Sequence, residues 1–238
     1  MEAMVSKKAG DEGGGTAGVR RRLSPEKRRE AIAATAQQLA LTEGLQNLTH
    51  RNIAARLGVT HALVVHYEPS IESLRLRVYL DLLQTEFVTV TSHVARYSKA
   101  VHKLSELIRL TSRPGREDYA GVWLDGWSLG RRHPETADAV RLMMDRWQAM
   151  VAAILEQGMS DGDFDVPCAD SCAWEIIALL DGFNAHTIVG YRDPGQYRER
   201  ISAPIEARLN VPPGTLTKDP PPPMQKPADG APRQQEEQ

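Results

Sequence analysis

Two short helical patterns meet at Gly58. The first carries an apolar stripe made of Ile53, Ala54 and Leu57, at the spacing that places side chains on one face of a helix. Glycine readily adopts the left-handed conformation that ends a helix, and Thr60 can cap the next one. Two helices this short and this tightly joined must cross at a steep angle. The pattern therefore predicts a helix-turn-helix, whose second helix can enter the major groove of DNA.

Further helical patterns lie on both sides of this pair. Before it, Ser24 and Pro25 supply a cap and a first-turn proline, and Gly44 ends the helix that they open. After it, Ser70 can cap a long helix that continues toward His93. The remaining apolar spacings predict helices at about 101–110, 119–131, 135–159 and 169–190, and a last one that ends at about 209. The expected fold class is therefore all-α.

Charge is divided unevenly along the chain. The formal net charge is −2, but residues 1–80 carry 12 Lys and Arg against 8 Asp and Glu, whereas the remainder carries 17 against 23. A basic run leads into the first helix and consists of Arg20, Arg21, Arg22, Lys27, Arg28 and Arg29. Such a run can bind a polyphosphate and release its counterions, or it can be a solvated tail. Beside a helix-turn-helix, the first interpretation is favoured.

The composition indicates a soluble, globular, cytoplasmic protein without a membrane partner. Hydrophobic residues make up 41% of the 238 residues, which suffices for a core. No apolar run approaches the ~20 residues needed to span a bilayer, and the N-terminus lacks the apolar segment of a signal peptide. Cys168 and Cys172 lack Cys or His partners at metal-ligand spacing. Reduced structural thiols are therefore expected, and neither a metal nor a cofactor is predicted.

Composition and helix patterns together divide the chain into four parts. Residues 1–19 are Gly-rich and residues 210–238 are Pro-rich, so both are expected to be disordered tails that bury little apolar surface. Residues 20–69 form the expected three-helix DNA-binding domain. Residues 70–209 form the expected helical domain for ligand binding and dimerisation.

Aromatic residues in the second half of the chain suggest a ligand pocket. Trp123 and Trp127 share one helix face, Met144 and Trp147 lie on the next helix, and Asp181 interrupts a very apolar helix. Indole rings with a carboxylate suit a cationic or aromatic effector, through cation–π attraction of ~0.5 to 2 kcal/mol per contact. The alternative is that the rings simply fill the core. The carboxylate can likewise bond across a dimer interface or to a backbone amide.

The last two helices offer a surface for self-association. The helix at 169–190 is apolar on more than one face, so it needs neighbours on two sides. An antiparallel pair with the final helix is a common dimerisation element. The predicted dimer interface comprises Trp174, Ile177, Phe183, Ile188, Ile201 and Ile205.

The helix-turn-helix region resembles the TetR family of transcriptional regulators. It matches the family pattern T-x-x-x-I-A-x-x-x-G-V-[ST] without a gap, from Thr49 to Thr60. The segments VWLDGWSLGRRHPETADAVRLMMDRWQAMVAAILEQGMSDGDF and IIALLDGF are similar to the sensing domain of the choline-responsive betaine-gene repressors. The resemblance covers most of residues 24–209. It implies an N-terminal three-helix reader of DNA and a C-terminal domain for dimerisation and ligand sensing.

The resemblance also implies roles for individual residues. Thr49 and Thr60 match positions that meet phosphates at helix N-termini. His61, Ala62 and Leu63 occupy the first turn of the recognition helix, which faces the bases. The complete set of expected DNA-binding residues is Thr49, His50, Arg51, Thr60, His61, Ala62, Leu63, His66, Tyr67, Arg22 and Arg28.

The chain departs from the family pattern just after the recognition helix. Where the family reads Tyr-His-Phe-x-[ST]-Lys, this chain has His66, Tyr67, Glu68, Pro69, Ser70 and Ile71. The missing lysine removes one expected phosphate contact. The glutamate replaces a buried ring, which is costly if the carboxylate is buried without a partner. Alternatively, Tyr67 fills the vacated core and leaves Glu68 in solvent.

No pattern for catalysis emerges, so an enzyme is not predicted. The predicted function is a ligand-responsive repressor, which binds a palindromic double-stranded DNA operator as a homodimer and is released by a small-molecule effector. The alternative is a ligand-binding or interaction dimer whose degenerate helix-turn-helix binds DNA weakly. Binding to the protein's own upstream region, compared with random duplex, separates the two.

Overall fold

The computed structural model describes residues 23–191 and 193–222, and this part of the chain is helical without strands. The all-α fold class is confirmed. The helices are α1 (Pro25–Glu43), α2 (His50–Leu57), α3 (His61–Tyr67), α4 (Ile71–Val94), α5 (Ala100–Thr111), α6 (Glu117–Gly130), α7 (Pro134–Asp161), α8 (Ala169–Ile188) and α9 (Tyr197–Leu209). Short 3₁₀ turns occupy Leu45–Asn47 and Pro194–Gln196. In the described ranges, none of the helices is both long and apolar enough to cross a membrane.

Side-chain caps explain where the first four helices begin. In each case a hydroxyl oxygen accepts the backbone N–H three residues later, which satisfies one of the free donors of the first turn. The four caps are Ser24, Thr49, Thr60 and Ser70. Gly58 ends α2 in the left-handed conformation, with φ of 61°. The helix boundaries predicted from these residues are confirmed.

The first three helices share a small core with the start of α4. Its side chains are fully or almost fully buried and comprise Ile32, Ala36, Leu39, Leu45, Leu48, Ile53, Val64 and Leu74. Because α4 contributes to this core and also packs against α5, α6 and α7, it joins the helix-turn-helix to the rest of the molecule. Helix α4 also packs closely against α6. A Cβ on Gly126 of α6 would lie 2.4 Å from the ring of Tyr79 on α4.

The segment after α9 packs against the helical body, so the prediction of a disordered tail from residue 210 is wrong for its first part. Leu216 is fully buried. The carboxylate of Glu206 accepts the backbone N–H groups of Gly214 at 2.8 Å and of Leu216 at 2.6 Å. The hydroxyl of Ser105 donates to the carbonyl oxygen of Leu216. A composition-based prediction overlooks such long-range acceptors. The expected tails at 1–19 and 223–238 lie outside the described residues.

Candidate functional site

The expected DNA-reading residues lie around the turn between α2 and α3. Thr49 and Thr60 sit at the two helix N-termini, where their hydroxyls hold the backbone. His61 and Ala62 are exposed in the first turn of α3, whereas Leu63 is half-buried. The exposed side chains and the free amides of a helix N-terminus suit contact with a duplex. Arg51 is also exposed, on α2.

His50, the first residue of α2, contacts the residue that follows α3. Its Nε2 lies 2.6 Å from the carbonyl oxygen of Glu68, to which it donates. Its ring meets the ring of His61 edge-on, with centroids 5.8 Å apart. One ring nitrogen of this expected DNA-binding residue therefore holds the end of α3 in place.

Tyr67 packs against the core and also lies next to residues that are expected to contact DNA. Its ring is half-buried against the core, and the guanidinium carbon of Arg29 lies 5.5 Å from the ring centroid. His66 is exposed beside it. Arg28 is half-buried on α1. Arg22, also expected at the DNA, lies outside the described residues.

Glu68 is neither unpaired nor left in solvent. Its side chain is 14% exposed, and its carboxylate lies 2.7 Å from the guanidinium of Arg77 on α4. Tyr67 does pack against the core, as one of the two alternatives supposed. Ile71 packs there too, at the position where the family pattern has a lysine. The unusual sequence after α3 is thus accommodated by one ion pair and two apolar contacts.

A carboxylate of α6 contacts the turn between α1 and α2. Asp125 Oδ2 accepts the backbone N–H of Leu45 at 2.6 Å. A Cβ on Gly44 would lie 2.8 Å from the same oxygen, so only glycine fits there without displacement. Burial raises the pKa of Asp125, and the bond from Leu45 opposes that shift. This contact joins the predicted sensing region to the helix-turn-helix.

Four of the five predicted pocket residues line one cavity. Its empty space is about 360 Å³, including the part open to solvent. Trp123 of α6, Met144 and Trp147 of α7, and Asp181 of α8 all line it. The other lining residues are Thr111, Arg116, Ile177, Leu180 and Asn184. Trp127 does not line the cavity; one turn further along α6, its ring packs on that of Trp123 with centroids 6.1 Å apart.

A buried ion pair stands beside the cavity. The carboxylate of Glu86 accepts the indole N–H of Trp123 at 3.2 Å and lies 2.5 Å from Nη2 of Arg116. Both charged side chains are more than nine-tenths buried. Within the described residues, Nε and Nη1 of Arg116 and Nε1 of Trp147 are buried without a hydrogen-bond partner.

Asp181 supplies a second carboxylate to the cavity. Burial raises its pKa from 3.8 to about 6, which the nearby Arg116 opposes and Glu86 reinforces. The group is therefore largely ionised at pH 7.5 and largely protonated below pH 5. Asp181 lines the cavity, and its role toward a ligand stays a prediction beside a bond across a dimer interface or to a backbone amide.

The sequence pattern did not single out Glu86, Arg116 or Asp125. A signal existed for Glu86, which lies at helical spacing between the apolar residues Leu82 and Val90 and must therefore point inward. No comparable signal exists for Arg116, which precedes the first turn of α6 after an irregular loop.

The predicted dimer interface needs correction. Ile201 and Ile205 are each 2% exposed because α9 turns them toward the core of its own chain, so they cannot meet a partner. Ile177 lines the cavity, and the Phe183 ring packs on that of Tyr197 with centroids 5.7 Å apart. Of the predicted set, Trp174 (61% exposed) and Ile188 (39% exposed) remain as surface residues. Their role at an interface stays a prediction.

Comparison with known proteins shows which proteins share the fold of this chain and which domain its second half resembles. A model of the C-terminal domain of BetI-type transcriptional repressors matches residues 100–210. A transcriptional regulator from Saccharomonospora viridis, solved in complex with choline, superposes with a TM-score of 0.72 and 26% sequence identity, over 77% of this chain and 98% of that chain. The segment 100–210 is therefore a TetR-family C-terminal domain of the BetI type.

Other TetR-family structures show the same fold at lower identity. A TetR transcription regulator from Haloarcula marismortui superposes with a TM-score of 0.65 and 20% identity, over 78% of this chain and 97% of that chain. A TetR-family regulator from Agrobacterium tumefaciens gives 0.66 and 18%, over 78% and 99%. A search of curated proteins found no match. The structures from Haloarcula marismortui and Agrobacterium tumefaciens thus show a shared fold.

Proposed function

We propose that this TetR-family chain is a repressor that binds a palindromic operator as a homodimer and is released by a small cationic effector. The observation that carries the proposal is the arrangement of α6. This helix places Trp123 at the cavity and Asp125 against the turn before α2. A ligand that shifts α6 therefore acts directly on the helix-turn-helix.

The cavity supports a cationic effector. Trp123 and Trp147 supply aromatic surface, and Asp181 supplies a negative charge that Arg116 only partly compensates. Glu86 is already engaged by Trp123 and Arg116. The regulator from Saccharomonospora viridis, similar in fold and sequence, binds choline. A cation of that class is the effector we propose here.

The exposed surface of α8 supports homodimerisation. Trp174 and Ile188 are large apolar side chains that lie in solvent in the single chain. Pairing α8 with its copy buries them and gives an isologous interface. Two copies of α3 then read two half-sites about 34 Å apart, one turn of duplex, which a palindrome provides.

The effector acts by changing the population of two arrangements. Release requires that the cation bind more tightly to the arrangement in which the two recognition helices no longer match the half-sites. The route runs through α6, by the bond from Leu45 to Asp125 and by the close packing of Gly126 on Tyr79 of α4. Both contacts join α6 to elements that carry or support the reader.

Fluorescence anisotropy tests the DNA part of the proposal. A labelled duplex from the region upstream of the protein's own gene is titrated beside a random duplex, at several salt concentrations. We expect clearly tighter binding to the upstream duplex and a salt slope that reflects several phosphate contacts. Equal, weak affinity for both duplexes would contradict operator recognition and favour the ligand-binding dimer with a degenerate reader. Thr60→Ala is the matched variant, since it removes the cap of the recognition helix.

A further inference from the structure

The segment that follows α9 spans two helices and binds both. We call residues 211–219 the strap. Ser105 of α5 donates from its hydroxyl to the carbonyl oxygen of Leu216 at 3.1 Å. On α9, Glu206 accepts two backbone N–H groups of the strap, and Nη2 of Arg198 donates to a strap carbonyl oxygen at 2.9 Å. Leu216 is fully buried. The strap therefore holds α9 against α5.

The part of α9 that the strap holds also forms one wall of a second cavity. The empty space of this cavity is about 270 Å³, including the part open to solvent, and we call it the vestibule. Tyr197, which precedes Arg198, lines it from α9, and the α5–α6 loop and α8 supply its other walls. Thr111, Arg116 and Asn184 line both the vestibule and the cavity beside Trp147. The two spaces therefore adjoin.

An aromatic pair closes the vestibule on the side of α9. The Tyr197 side chain is almost fully buried, and its ring packs on that of Phe183 of α8. Its hydroxyl donates to the carbonyl oxygen of Tyr191. Protein interiors are close-packed, so a solute larger than water passes such a wall only when its elements separate. A movement of α9 away from α5 would widen the vestibule, and the strap opposes it because it is bonded to both helices.

We propose that small solutes reach the cavity beside Trp147 through the vestibule, and that the strap controls the rate of this passage by holding α9 against α5. The inference rests on the proposed function in one respect, since it takes that cavity as the effector site. The strap residues are not among those that line the cavity. They therefore slow entry and exit by the same factor and leave the equilibrium affinity unchanged.

Stopped-flow tryptophan fluorescence with choline as the probe tests the rates. Leu216→Ala removes the buried anchor of the strap. The association and dissociation rate constants should both rise by about tenfold or more, because the variant populates the released strap more often. The dissociation constant from calorimetry should stay the same. Leu142→Ala is the matched control, since it makes the same change at a position of α7 that is 54% exposed, and it should alter neither rate.

A milder variant guards against a loss of folding. Ser105→Ala removes the hydroxyl that bonds α5 to the strap and takes away a single oxygen atom. Both rate constants should rise together by about threefold to tenfold, as expected for the loss of one hydrogen bond.

Hydrogen exchange at the indole of Trp147 provides a readout that needs no ligand. Its Nε1 is buried and has no hydrogen-bond partner among the residues that the structure describes, so exchange requires solvent to enter the cavity. In protein labelled with ¹⁵N-tryptophan, both strap variants should exchange this hydrogen faster than the wild type. The acceleration should exceed the one that their urea denaturation predicts for global unfolding. The indole of Trp174, which is 61% exposed, should exchange at an unchanged rate.

The outcomes separate the role of the strap from the proposed effector. A changed affinity for choline without parallel changes in both rate constants would overturn the inference. An unaltered exchange rate at Trp147 in both Leu216→Ala and Ser105→Ala would overturn it as well. If the wild-type protein does not bind choline, the proposed cationic effector loses its support, and the exchange at Trp147 still decides whether the strap controls access.

Discussion

Asp181 provides a prediction whose magnitude follows from the structure. Its pKa rises from 3.8 to about 6 because the carboxyl is buried. When the pKa is higher in the folded than in the unfolded chain, the stabilising contribution is complete below 3.8 and is lost as the pH rises through about 6. The difference between a pKa of 3.8 and one of about 6 corresponds to up to about 3 kcal/mol of stability at pH 8.

Asp181→Asn removes the ionisation and retains the shape. The free energy of unfolding of the variant should exceed that of the wild type by up to about 3 kcal/mol at pH 8, and the difference should shrink toward pH 5. Urea denaturation, followed by circular dichroism at one fixed protein concentration, measures it. The same variant should bind choline more weakly, and wild-type binding should weaken below pH 6, because the cation needs the ionised carboxylate.

Asp145→Asn is the matched control, since it makes the same change at an exposed position of α7. It should leave the free energy of unfolding unchanged, because the side chain lies in solvent. If Asp181→Asn were as stable as the wild type at both pH 5 and pH 8, or less stable at pH 8, the carboxylate would not be destabilised by burial. The reasoning about the charge of the cavity would then be refuted.

Three other substitutions test contacts of the reader. Arg77→Ala leaves the carboxylate of Glu68 without its partner and should lower the free energy of unfolding, as measured by urea denaturation. The loss should be only about 1 to 2 kcal/mol, because Arg77 is half exposed and water screens the pair. An unchanged denaturation midpoint would contradict this. Asp125→Ala removes the acceptor of the Leu45 amide, whose hydrogen exchange by mass spectrometry or NMR should become faster. Equal exchange rates in the variant and the wild type would contradict the hydrogen bond between Leu45 and Asp125. Ile71→Lys should tighten binding to upstream and random duplexes alike, with a salt slope larger by about one in anisotropy titrations, and unaltered affinity would place residue 71 away from the phosphates.

Local signals predicted much of the fold. Thr49, Gly58, Thr60 and Ser70 act through neighbours three or four residues away, so their effect can be read directly from the sequence. The apolar periodicities likewise located each long helix. These interactions are short-range, and helix boundaries depend mainly on them.

The features that the sequence did not reveal depend on contacts between distant residues. The pairing of Glu68 with Arg77 joins two helices, and Asp125 meets Leu45 across 80 positions of the chain. Helical periodicity shows that Ile201 and Ile205 face something apolar, but it does not distinguish the core of the same chain from a partner. Helical periodicity likewise does not show which tryptophans line a cavity. Trp123 lines it, whereas Trp127, one turn further along α6, is outside the lining.

Residue type and spacing predict a ligand pocket in the second half of the chain, or rings that fill the core, and ligand binding there stays a prediction. Trp123, Met144, Trp147 and Asp181 were expected together because three helices carry aromatic or acidic residues in an apolar setting, and they do line one space. Arg116 enters from a loop and changes the chemistry of that space, since it pairs with Glu86 and keeps two buried donors without a hydrogen-bond partner in the described part of the chain. The expectation of a purely aromatic and acidic pocket was therefore incomplete.

The central claim is that a cation in the cavity controls DNA binding, and one titration tests it most directly. The affinity of the protein for its upstream duplex is measured by anisotropy with and without saturating choline, whose binding to the same sample is verified by calorimetry. The account predicts that choline lowers the affinity at least fivefold, which corresponds to a coupling free energy of about 1 kcal/mol or more. Unchanged DNA affinity in a protein that has bound choline would contradict it.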